Sequence, residues 1–178
     1  MHKDCERILL SEEQIKARVI EVADEVNAAF AGKEPLVVGI LKGSIIFYGD
    51  FIRCLNFPIM LDFMVVSSYG SGTVSSNNLK IKKDVENDVA GKDVIIVEDI
   101  IDSGFTLANL KQLFIERGAK SVTIVTLLDK FERRTVDVKS DYNCFKIEDE
   151  FVIGYGLDYN ERYRMLPYIG ILKRSLYE

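Results

Sequence analysis

Apolar residues recur along this chain in two rhythms. Short, nearly unbroken runs at Leu36–Leu41, Ile59–Ser67, Val94–Val97 and Ser121–Leu128 are bounded by charged or turn residues, with Asp62 the one interruption. Such runs predict strands buried on both faces, the pattern of a parallel sheet. Between them the spacing becomes helical. Ser11-Glu12-Glu13-Gln14 reads as a capping box, followed by Ile15, Val19, Val22, Val26 and Phe30 on one face of a helix that ends near Gly32. A second helix is predicted after Lys42-Gly43-Ser44, running through Leu55, and a third from the spacing of Leu107, Leu110, Leu113 and Phe114. Lys80–Asp84 reads as a return strand and Tyr168–Leu172 as a last one. Strand, loop and helix thus follow one another twice, which predicts an α/β fold built on a mainly parallel twisted sheet flanked by helices.

At 178 residues the chain has room for one domain with a sizeable core. Its net charge of −5 carries no basic excess of the kind that binds nucleic acid or an anionic membrane. No apolar run reaches the length of a membrane span, and Met1–Arg7 lacks the apolar core of a signal peptide, so the expected location is the cytoplasm. Cys5, Cys54 and Cys144 are odd in number and far apart, fitting free thiols better than disulfides or a zinc site. His2, the single histidine, stands at a terminus, so proton transfer falls to Asp, Glu, Lys or Tyr.

The candidate chemistry centres on V-I-I-V-E-D-I-I-D-S-G-F-T-L, Val94–Leu107. Ser103, Gly104 and Thr106 stand where a helix opens, and backbone N–H groups there converge on an anion. Glu98 and Asp99 would repel a bare phosphate, but they suit a ligand that also carries vicinal hydroxyls or a metal ion. A ribose phosphate meets both conditions. Taken alone, E-D-x-x-D also fits a solvated acidic turn or an Asp-rich pocket like that of a response regulator, and L-K-G-S at 41–44 fits many ordinary turns.

The combination of apolar strand, acidic pair and D-S-G-x-T loop resembles the phosphoribosyl pyrophosphate (PRPP) signature of the type I phosphoribosyltransferases. Leu41-Lys42-Gly43-Ser44 resembles the pyrophosphate loop of the purine members, in some of which the Leu–Lys peptide is cis. Leu-Leu-Asp-Lys at 127–130 and the segment Phe151–Arg164 resemble their base-binding parts. The resemblance implies one domain over 1–178. Its core would lie at about 34–150, with a small hood from about 1–12 and 151–178 and a mobile lid at about 67–82 carrying Ser68 and Tyr69.

It also implies roles for single residues. Glu98, Asp99, Asp102, Ser103, Gly104, Phe105 and Thr106 would hold PRPP, and Leu41, Lys42, Gly43 and Arg164 the pyrophosphate. Ile100, Lys130, Phe151, Val152 and Asp158 would hold the purine, with Phe151 stacking on the ring and Lys130 on its exocyclic oxygen. Asp102 would be the general base, and Glu98, Asp99 and Asp158 would serve Mg²⁺. The expected reaction joins hypoxanthine or guanine to PRPP, giving IMP or GMP and pyrophosphate, in a homodimer or homotetramer. A non-catalytic PRPP-sensing regulator and a Rossmann-like phosphate-binding module with another reaction are the rival readings.

Overall fold

The computed structural model describes residues 1–68 and 79–177. Its main sheet holds six strands: β2 (Leu36–Leu41), β3 (Met60–Ser68), β4 (Leu79–Lys83), β5 (Asp93–Ile101), β6 (Ser121–Asp129) and β7 (Tyr142–Lys146), in the order β4-β3-β2-β5-β6-β7. Every neighbouring pair is parallel except β3 and β4, the expected strand and its return, which run antiparallel. A second, three-stranded antiparallel sheet joins β1 (Cys5–Leu10), β9 (Ile169–Leu172) and β8 (Val152–Ile153), so both ends of the chain meet in one layer.

Period-two alternation sorts the core strands to two faces. Val37, Ile95, Val97 and Val125 pack with α1 (Glu12–Ala29) and α2 (Ile45–Ile52), whereas Leu36, Val38, Ile96 and Ile124 pack with α3 (Phe105–Glu116). Both faces are therefore covered, which is why the strands read as unbroken apolar runs. The capping box at the start of α1 forms as predicted: the Gln14 amide donates to Ser11 Oγ at 3.3 Å and the Ser11 amide to Gln14 Oε1 at 2.9 Å.

Several boundaries differ from the sequence reading. β5 continues past Val97 to Ile101, so Glu98 and Asp99 close the strand and do not belong to the loop. The α2 helix stops at Ile52, before Leu55. The segment Phe151–Arg164, which by its aromatic and apolar start reads as a strand with a charged tail, is strand only at Val152–Ile153: after Ile153 the chain winds through two isolated bridges, Gly154 with Leu157 and Tyr159 with Arg162. Tyr155, Asn160, Glu161 and Tyr163 all adopt positive φ there. L-residues enter that region at a cost of roughly 1–3 kcal/mol each, and such strain collects at functional sites.

The topology fixes where a ligand can lie. From β2 the chain passes through α2 to β3 on one side, and from β5 it passes through α3 to β6 on the other. The loops following β2 and β5 part at the carboxyl edge of two adjacent parallel strands, and an open α/β sheet binds ligands in that crevice.

Candidate active site

A cavity of about 430 Å³ fills the crevice. Leu41, Lys42 and Gly43 form one wall, and Glu98 to Gly104 with Thr106 form the opposite one. Asp158 and Arg164 close it from the carboxyl-terminal segment. Three separate motifs picked out by residue type are thus brought to one place, while the fourth, Leu127–Lys130, lies outside the lining. The Leu41–Lys42 peptide is cis. Ser44 is buried and donates through Oγ to the Ile40 carbonyl at 2.5 Å, tying the loop to the end of β2.

Opposite, the chain leaves β5 and turns into α3 at Gly104, whose φ of +84° suits a residue without a Cβ. The Phe105 amide donates to Ser103 Oγ at 3.3 Å, and no side chain caps the helix. Uncapped first-turn N–H groups and the positive end of the helix dipole favour an anion here. The segment after β6 clamps this loop from outside. Arg134 donates to the Asp102 carbonyl at 2.7 Å and also pairs with Asp129, while the Thr135 amide donates to the Ser103 carbonyl at 3.0 Å.

The site's charges are held in tension. Burial pushes the Glu98 carboxyl well above its usual range, and the neighbouring Asp99 pushes it further. Burial raises Asp99 as well, against hydrogen bonds and the Arg164 charge, which lower it. Two buried carboxyls side by side call for a cation or for hydroxyl donors. Among the described residues no group of three or more His, Cys, Asp or Glu side chains could hold a metal ion by itself. Mg²⁺ usually needs only one or two carboxylates beside substrate phosphates and water.

Lys42 and Arg164 are already engaged with carboxylates. Lys42 Nζ lies 3.1 Å from both Glu161 oxygens, and Arg164 reaches Asp158 Oδ1 at 2.8 Å and Glu161 Oε2 at 3.5 Å. Arg164 also donates to the Gly156 carbonyl at 2.7 Å, and its buried Nε has no partner. Glu161 was not among the expected site residues, since an exposed Glu in a charged tail carries no local signal.

Lys130, Phe151 and Val152 stand apart from the cavity lining. Lys130 caps the end of β6, its amide bonded to the Ile101 carbonyl at 3.0 Å, and its side chain is only 10% exposed. It pairs with Asp149 at 3.4 Å, and Arg133 bridges Asp149 to Asp102. Arg133 Nε lies 2.8 Å from Asp102 Oδ1 but without hydrogen-bond alignment, so that buried oxygen has no hydrogen-bond partner. Phe151 is braced by Tyr177 stacked at 4.9 Å and by Tyr159 edge-on at 5.4 Å. Val152 is buried in β8. Ser68 ends β3, and Tyr69 lies outside the described residues. Asp149, Arg133 and Tyr177 escaped the sequence reading because the partners that give them meaning are distant in the chain.

A crevice at the switch point of a parallel sheet, with a helix start beside an acidic pair, defines an α/β enzyme class that handles a phosphorylated sugar. Residues 7–160 match the model of the phosphoribosyl transferase domain. The chain is 51% identical to the hypoxanthine-guanine phosphoribosyltransferase of Bacillus subtilis, covering 100% of this chain and 99% of that one. It is 49% identical to the protein of that name from Streptococcus thermophilus, covering 99% and 98%. A hypoxanthine phosphoribosyltransferase structure from Staphylococcus aureus superimposes with a TM-score of 0.96 at 46% identity, covering 100% and 97% of the two chains. This chain belongs to the phosphoribosyltransferase family, with the family's α/β fold.

Proposed function

We propose that this chain transfers the 5-phosphoribosyl group of PRPP to N9 of a 6-oxopurine, hypoxanthine or guanine, releasing pyrophosphate and giving IMP or GMP. The observation that carries this reading is the single crevice that the Leu41–Gly43 loop, the Glu98–Thr106 segment, Asp158 and Arg164 line together.

In this reaction the bond from C1 to pyrophosphate breaks as positive charge builds on the ribose, N9 forms the new bond to C1, and the base gives up its N7 proton. Ser103, Gly104, Phe105 and Thr106 hold the 5-phosphate with backbone N–H groups and hydroxyls. Glu98 and Asp99 accept from the ribose hydroxyls and favour the developing positive charge. Leu41, Lys42, Gly43 and Arg164 take the pyrophosphate, so Lys42 and Arg164 exchange Glu161 for the leaving group. Glu98, Asp99 and Asp158 would hold Mg²⁺, which when bound neutralises charge on the pyrophosphate.

Asp102 takes the N7 proton, a role supported by its place in the cavity lining, where Arg133 orients its carboxylate. Lys130 donates to the exocyclic oxygen of the base, and Phe151 and Ile100 stack against the ring above the backbone of Val152. Adenine presents an amino group where Lys130 needs an acceptor, and the unpaired ammonium excludes it. The terminal sheet of β1, β9 and β8 forms a hood over the base, the rest of the chain being its core; of the expected lid at 67–82, with Ser68 and Tyr69, residues 67–68 and 79–82 pair in β3 and β4 and the rest lies outside the described residues. The setting is purine salvage in the cytoplasm. A homodimer or homotetramer is favoured by exposed Ile20, Ile46 and Met165 around a second cavity of about 460 Å³.

The test is an ultraviolet assay with PRPP and Mg²⁺ in which hypoxanthine, guanine, xanthine and adenine are offered in parallel. Hypoxanthine or guanine should turn over with adenine inert. Asp102→Asn should lower kcat by roughly a hundredfold or more while PRPP still binds. PRPP binding without turnover of any base would favour the non-catalytic regulator.

A further inference from the structure

We propose that Arg133 and Asp149 are positioning residues of the base subsite, which set the spacing between Asp102 and Lys130. The inference rests on the roles given above to those two groups. Four side chains form one line of alternating charge. Asp102 Oδ1 lies 2.8 Å from Arg133 Nε, Arg133 NH1 lies 3.3 and 3.4 Å from the Asp149 oxygens, and Asp149 Oδ1 lies 3.4 Å from Lys130 Nζ.

The two ends of that line address neighbouring atoms of the ligand. N7 and O6 share one edge of a 6-oxopurine, close enough for one bidentate group to read both. Taking a proton at N7 while donating one to O6 therefore requires a carboxylate and an ammonium at a fixed separation. The backbone alone does not supply it. Asp102 follows β5 and Lys130 follows β6, so both side chains stand just beyond the end of the sheet, where no strand pairing fixes them. Arg133 and Asp149 lock the pair from outside the cavity, since neither is in its lining.

The contact with Asp102 occupies the buried Oδ1, which orients the carboxylate and leaves its other oxygen, Oδ2, for a proton. Stability does not explain the arrangement. Arg133 is 52% exposed and Asp149 46%, and ion pairs at that exposure contribute little to folding. They matter when a ligand makes their geometry count.

The test compares Arg133→Ala, Arg133→Lys, Asp149→Asn and Asp149→Glu in the full chain, with Asp102→Asn and Lys130→Ala alongside, measuring kcat and KM separately for hypoxanthine and PRPP. Arg133→Ala should lower kcat roughly tenfold, and Asp149→Asn should raise the KM for hypoxanthine roughly fivefold, with the KM for PRPP unchanged in both. Arg133→Lys and Asp149→Glu should recover part of the loss, which a merely structural role would not produce. The double variant Arg133→Ala/Asp149→Asn should lose less than the product of the single losses, because the two act as a unit.

Hypoxanthine kinetics unchanged in Arg133→Ala and Asp149→Asn, while Asp102→Asn and Lys130→Ala lose activity, would overturn this proposal and leave the proposed function standing. Wild-type kinetics in Asp102→Asn and Lys130→Ala would instead remove the reading beneath it. A loss falling equally on PRPP, or thermal unfolding lowered alike in the alanine and lysine variants, would also overturn the positioning role.

Discussion

Gly43→Ala tests the crevice at its narrowest point. A Cβ built on Gly43 would collide with Asp99 Oδ2 and lie 2.7 Å from Asp99 Cγ, so the two cannot share the space. The Gly43 backbone has no room to retreat, because its carbonyl already sits where a Cβ on Gly156 would stand. The Asp99 carboxylate must therefore swing aside. Moving a side chain off its rotamer costs about 0.5–1.5 kcal/mol. Separating Asp99 from Glu98 relieves part of their repulsion, so the melting temperature should fall only a few degrees. Function should suffer more. A hydrogen bond to a charged group is worth about 1.5–3 kcal/mol, and if Asp99 holds the ribose hydroxyls its loss raises the KM for PRPP roughly ten- to a hundred-and-fifty-fold. Initial rates against PRPP at saturating hypoxanthine, with thermal melts, measure both effects. A KM for PRPP within twofold of the parent would refute the placement of Asp99. A large drop in melting temperature with hypoxanthine and PRPP equally affected would show that the backbone had moved instead.

Two further outcomes concern the scaffold. Asp62, the interruption in the β3 run, is 5% exposed and accepts from the amides of Glu86 and Asn87 at 2.8 and 2.9 Å and from Asn87 Nδ2 at 2.9 Å. Asp62→Ala leaves these donors without an acceptor and should cost about 2–3 kcal/mol, a fall of roughly 4–12 °C in melting temperature. A shift under 2 °C, on the order of 0.5–1 kcal/mol, would mean that water replaces the carboxylate. Arg117 holds Asp84 in a fork at 2.8 and 2.6 Å and lowers its carboxyl below the ordinary 3.8. A depressed carboxyl stabilises the fold above its unfolded value and loses that contribution as pH falls through the folded one. Asp84→Asn should therefore cost about 0.5–1 kcal/mol at neutral pH, discounted because both groups are about one-third exposed, and the gap to the parent should close on acidification below 3.8. A gap independent of pH would remove the ion pair as its source.

The β–loop–α repeat was legible because burial on both faces leaves unbroken apolar runs, and α1 because its capping box is a local pattern that forms as written. β7 was missed: Tyr-Asn-Cys-Phe-Lys has no long apolar run, since it lies at the edge of the sheet and pairs on one side only. β1 was read only as part of a terminal segment, because its partner β9 lies more than 150 residues away and three of its six positions are exposed. The winding of 154–163 was equally hidden, as positive φ at Tyr155, Asn160, Glu161 and Tyr163 follows from tertiary packing and contradicts local preference.

The candidate site divides along the same line. Residue types at fixed local spacing placed Glu98, Asp99, Ser103 and Gly104 on one wall before any geometry was known, because a strand end running into a helix start is a pattern of consecutive residues. The charge partners of that wall are not consecutive. Lys42 meets Glu161 across 119 residues, and Arg133 meets both Asp102 and Asp149. Among the described residues three buried side-chain atoms lack a hydrogen-bond partner, Asp102 Oδ1, Asn143 Oδ1 and Arg164 Nε, and two of them belong to this site. A folded chain normally satisfies its buried polar groups. Arg164 Nε and the crowded Glu98 and Asp99 belong to one crevice, and groups left unpaired there are partners for a ligand, which the proposed sugar pyrophosphate would supply.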